Sequence, residues 1–216
     1  MKIEVIIPND LSEITLDQYQ RFLKIQENNT DEKFLTSKMI EIFCGIKLPE
    51  VLKMRVNDVS LITNILSEMF ENIPQLVQRF KMNGVEYGFI PDLDDMSLGE
   101  YIDLDTYLGD WENMHRAMAV LYRPIKNKSG NRYNIKEYDG KGFEDMKDMP
   151  LDAVLSSIVF FYNLGIELSK AMMNYLETTE EEALTEFLNS QQNGASINQF
   201  THWLTGILQD LKISLN

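Results

Sequence analysis

The sequence predicts a mainly α fold: a compact helical domain with a small antiparallel β-sheet and an exposed loop at 126–149. Three observations carry this reading. Long stretches place apolar residues at helical spacing. Asn83-Gly84 sits between two strand-like runs. A polar tract with several glycines interrupts the helical pattern after residue 125. With 216 residues, 44% of them hydrophobic, the chain has material for a sizeable core.

The elements follow in order. "KIEVIIP" (2–8) is rich in β-branched residues and stops at a proline, the pattern of a short strand able to join the sheet. Thr15 caps a helix whose apolar face runs Leu16, Tyr19, Phe22, Leu23 and Gln26, with Gln18 completing a capping box. A helix from Thr30 or Asp31 to Cys44 is ended by Gly45. Pro49 opens a short helix. A further helix over 57–73, capped by Asn57 or Asp58, carries the stripe Val59, Ile62, Ile65, Leu66, Met69 and Phe70.

Asn83-Gly84 predicts a hairpin of strands 76–82 and 85–90, because both residues tolerate the positive φ of a type I′ turn. Ser97, with Glu100 three residues on, caps the helix "LGEYIDLDTYLGDW". A helix over 111–122 is stopped by Arg123-Pro124. Residues 126–149 read as a protruding loop, within which "RYNIKEY" has strand character. An apolar helix spans Pro150 to Glu177. A polar helix starting near Thr178 or Thr179 and a last helix capped by Ser196 form a semi-independent C-terminal pair over 178–216, able to pack on a body over 1–177.

Charge narrows the function classes. A formal net charge of −14 repels nucleic-acid phosphates and anionic lipid and favours basic partners. The one cysteine, Cys44, allows no disulfide within the chain and no Cys-based zinc site, which fits a reducing cytosol or a particle assembled there. The N-terminus lacks a signal-peptide pattern, and "AVLSSIVFFYNLGIEL" (153–168) is too short to span a bilayer.

Six carboxylates, Asp92, Asp94, Asp95, Glu100, Asp103 and Asp105, crowd one stretch. A calcium-loop register starting at Asp92 fails: Met96 stands where an oxygen ligand is needed, Ser97 where glycine is needed, and Asp103 where glutamate is needed. Paired carboxylates also serve glycosidases, but spacing in sequence does not place them across a bond. The remaining reading is a helix start with acids near its positive end, Asp103 and Asp105 facing water, and a surface for partners. His115 and His202 lack the companions of a zinc site; His115 reads as a helix-surface or interface residue and His202 as a packing or surface residue. Cys44 reads as a buried small residue. Methionines such as Met39, Met118 and Met172 read as core filling, with an adaptable partner groove as the alternative. No P-loop, dinucleotide-binding, zinc-protease or nucleophile-elbow pattern occurs, so no cofactor, metal or catalytic residue is assigned. Lys126, Lys128, Arg132, Lys136 and Lys141 make the 126–149 segment basic, suited to docking an acidic neighbour such as the 92–105 face of another copy. Deleting that loop is expected to spare the helical fold. Arg123 is placed to pair with a nearby carboxylate.

Two stretches carry a family resemblance. "LTSKMIEIFCGIKLPEVLKMRVNDVSLITNILSEMF" (35–70) resembles the helical core of small tailed-phage proteins that include tail-assembly chaperones. "NGVEYGFIPDLDDMSLGEYIDLDTYLGDWENMHRAMAVLYRPI" (83–125) resembles a block of virion-associated proteins of tailed phages, especially crAss-like phages. The resemblance implies a non-enzymatic structural protein acting by protein–protein contacts at the portal vertex, head–tail connector or adjacent capsid. Its implied partners are portal, capsid or connector proteins and symmetry-related copies, without nucleic acid, membrane or small-molecule substrate. The implied location is the virion, assembled in host cytoplasm. A tail-assembly chaperone, absent from the mature particle, is the alternative.

Overall fold

The computed structural model describes residues 5–72, 75–130 and 132–178, except the side chains of 168 and 171–178. The described fold is mainly helical with one four-stranded antiparallel sheet, as the sequence predicts. The C-terminal helical pair and His202 lie outside the described residues. The chain divides into two compact units, Met1–Ser156 and Ser157–Asn216.

The helices are α1 (Leu16–Glu27), α2 (Glu32–Phe43), α3 (Leu48–Val51), α4 (Val56–Glu71), α5 (Leu98–Tyr107), α6 (Met114–Leu121) and α7 (Leu151–Thr178). Short 3-10 turns cover Leu11–Glu13 and Phe143–Asp148. The strands β1 (Arg79–Met82), β2 (Val85–Phe89), β3 (Tyr122–Ser129) and β4 (Arg132–Ile135) pair in sequence order. At the predicted hairpin turn, Asn83 and Gly84 hold φ of 50° and 77°.

Local capping sets the helix starts. Thr15 and Gln18 close the expected capping box on α1. Asp31 caps α2, and Gly45 follows its end at φ 67°. The cap of α4 differs from the sequence reading: Arg55 occupies it without a side-chain bond, and Asp58 lies in the first turn. The first turn of the expected 111–122 helix is also different. Asp110 accepts from Glu112 N and Asn113 Nδ2, winding residues 110–113 into a turn, so α6 begins only at Met114.

Two aromatic groups fix the core of the first unit. Tyr19 meets Phe70 at 5.8 Å and Trp111 at 5.0 Å, and Phe43 meets Phe22 at 5.3 Å and Phe70 at 5.9 Å, tying α1, α2 and α4 together. Under the sheet, buried Tyr122 packs against Phe80 and Phe89. Its hydroxyl donates to Val77 O at 2.8 Å. The starts of α1 and α7 are clasped by Leu16 N to Met149 O (2.9 Å) and Leu151 N to Ile14 O (2.8 Å).

Two strand expectations are corrected. Val5–Pro8 is not a strand, and residues 2–4 lie outside the described ones; among described residues β1 pairs with β2 alone. The segment 126–149 is exposed at its tip but is not an open loop. Residues 126–129 continue β3, 132–135 form β4, and Met146 and Met149 are buried. Tyr133 of β4 lies over Gly88, where an added Cβ would come within 2.4 Å of its ring. Deleting 126–149 would therefore strip the sheet and open the core, contrary to the expectation that the fold is spared.

Candidate docking face on helix α5

Ser97 starts α5 as predicted: its Oγ accepts from Glu100 N at 3.3 Å, and Ser97 N donates to Glu100 Oε2 at 2.7 Å. The same bonds turn Glu100 inward. It is 6% exposed, and its Oε1 meets Arg123 Nη1 at 2.6 Å, the pairing the sequence suggested. Burial disfavours the Glu100 charge. The Ser97 hydroxyl and backbone N–H, together with the Arg123 guanidinium, outweigh burial and hold its carboxyl below the usual range.

With Glu100 inward, Leu104 and Leu108 also face the core. The other side then carries Leu98 (74% exposed) and Ile102 (52%), with Tyr101 (38%) at its border with the buried side. Residues 98, 101, 102 and 105 form one stripe at helical spacing. Glu100, Leu98 and Ile102 depart from ordinary helix patterning, in which acids face water and large aliphatics face the core, while Leu104, Leu108 and Asp105 follow it.

The six carboxylates do not converge. Asp92 Oδ1 accepts from Asp94 N at 3.0 Å, shaping the turn before α5. Asp94, Asp95 and Asp105 are exposed. Asp103, expected to face water, is instead half-buried and accepts from the Tyr138 hydroxyl at 2.6 Å. Asp92, Asp94, Asp95 and Asp105 take part in no ion pair among the described residues. Among those residues no group of three or more His, Cys, Asp or Glu is placed to hold a metal ion.

The basic candidates are partly spoken for. Lys126 pairs with Glu137 at 3.5 Å and Lys128 pairs with Glu86, across the β3–β4 hairpin and onto β2. Arg132, Lys136 and Lys141 are exposed. Lys136 N donates to Pro124 O at 2.9 Å.

The remaining candidates have structural surroundings. His115, expected at the helix surface or an interface, is 4% exposed on α6, with Nε2 3.7 Å from Glu144 Oε1. It is covered because the 3-10 turn over 143–148 packs on α6. Burial raises the Cys44 thiol to about 11, away from nucleophilic use. A cavity of about 520 Å³ opens between the Leu11–Glu13 turn and α4, lined by Asp10, Leu11, Ile65, Glu68, Met69 and Asp152. No described helix is long and apolar enough to cross a membrane.

Sequence reading singled out the acids of this stretch and missed Leu98, Tyr101 and Ile102. The available signal was a helix with apolar residues on two sides, Leu98/Tyr101/Ile102 and Leu104/Tyr107/Leu108, of which one helix can bury only one in a single-sided contact. Comparison with protein-family models, curated proteins and solved structures finds no match.

Proposed function

We propose that this chain is a non-enzymatic structural accessory protein of a tailed-phage particle, acting through protein–protein contacts at the portal vertex, head–tail connector or adjacent capsid. The contact role rests on the outer face of α5, where large aliphatic side chains stand in solvent while a glutamate is buried. Solvent-facing Leu and Ile in one stripe are what a partner surface covers. The particle setting rests on the resemblance of 35–70 and 83–125 to tailed-phage proteins.

One observation weighs on the alternative, a tail-assembly chaperone. A methionine-lined groove would suit a holding function, whereas Met82, Met114, Met118, Met146 and Met149 are buried in the core, and of the half-buried Met39, Met54, Met69 and Met96 a single one, Met69, lines the cavity beside α4. That favours the particle component. Mass spectrometry of purified particles, quantified against the portal protein, tests the reading. Presence at a fixed ratio to portal is the expected result. Abundance in infected-cell lysate with absence from particles would overturn it in favour of the chaperone.

A further inference from the structure

We infer that the outer face of α5 docks a basic amphipathic segment of a different protein, one that sets aliphatic side chains on Leu98 and Ile102 and Lys or Arg side chains against the neighbouring acids. The inference rests on the contact reading above and names the chemistry of the partner.

Three observations select this occupant. Exposed Asp92, Asp94 and Asp95 lie in the turn just before α5 and exposed Asp105 lies on α5 itself, and none of the four has an ion-pair partner among the described residues. The chain as a whole carries −14, so its field draws cations to these acids and repels acidic segments. A second copy is the poorer fit. Face-to-face pairing of two α5 helices would set the four acids of one copy against the four of the other. The basic β3–β4 hairpin of another copy offers less charge than its sequence suggests, because Lys126 and Lys128 already bind Glu137 and Glu86.

The two parts of the face have separate roles. Leu98 and Ile102 supply area that is released from water on docking, and the acids select sign and orientation. A purely cationic partner therefore gains encounter rate without the apolar contact.

The test uses the full chain in solution with three synthetic probes: a short leucine–lysine amphipathic helix, its leucine–glutamate counterpart, and an oligolysine of equal charge. Binding is read by titration, and its place by amide chemical-shift mapping. The leucine–lysine helix is expected to bind best, to shift residues of 92–105, and to lose about tenfold in affinity, near 1.4 kcal/mol, with Leu98→Asn/Ile102→Asn. The triple variant Asp94→Asn/Asp95→Asn/Asp105→Asn is expected to weaken it similarly and to flatten its salt dependence. Equal binding of oligolysine, binding mapped elsewhere, or shifts on α5 that grow with protein concentration alone would each overturn the inference. Those results leave the particle measurement untouched, so failure here and failure of the particle reading are told apart.

Discussion

Removing one partner of the Glu100–Arg123 pair leaves the other charge buried without compensation. Arg123→Ala is expected to lower the unfolding free energy by about 3–5 kcal/mol, measured by urea denaturation, with Glu100→Ala behaving similarly. The pair also sets an acid limit. The folded carboxyl lies below its ordinary value of 4.5, so its contribution is complete above that pH and is lost as pH falls through the folded value. His115 acts in a higher window. Burial, and then the charges of Lys147 and Arg116 against those of Glu144 and Asp110, push its imidazole below 6.5. The unfolded chain then takes up this proton first, so stability is full above 6.5 and declines below it. Thermal melts on either side of that pH are expected to show the decline in the native chain and a flatter profile in His115→Gln. Gly88→Ala is expected to cost about 1–3 kcal/mol, because its Cβ would meet the Tyr133 ring. The resulting loss should be visible in the same urea titration.

Helix α5 separates what the sequence made legible from what it did not. Its start could be read locally, since Ser97 and Glu100 form a capping box within one turn. The Thr15 box and the Asn83-Gly84 turn were legible for the same reason. The rotation of α5 about its axis was not. It depends on Arg123, which arrives from β3 after another helix has intervened. The β3–β4 hairpin was legible in part: "RYNIKEY" has strand character and contains β4, but the polar composition around it reads as loop, and its pairing with β3 and the seat of Tyr133 over Gly88 are made by residues distant in sequence. The two faces of α5 should respond differently to substitution. Leu104→Ala is expected to cost about 2–5 kcal/mol, while Leu98→Asn/Ile102→Asn stays within roughly 0.5 kcal/mol of the native chain. Paired urea melts of these variants test which side of the helix serves the fold.

At the scale of the whole molecule, the charge and the apolar stripe point the same way. A chain of −14 is kept apart from its own kind, and α5 exposes Leu98 and Ile102 among acids. In a particle, modest contacts of this sort gain strength by repetition around a symmetry axis. The measurement that tests this account most directly is incorporation of Leu98→Asn/Ile102→Asn into purified particles, quantified beside its melting temperature. The account expects an unchanged melting temperature and incorporation reduced about tenfold, the loss of roughly 1.4 kcal/mol of docking. Native incorporation by a fully folded variant would contradict it.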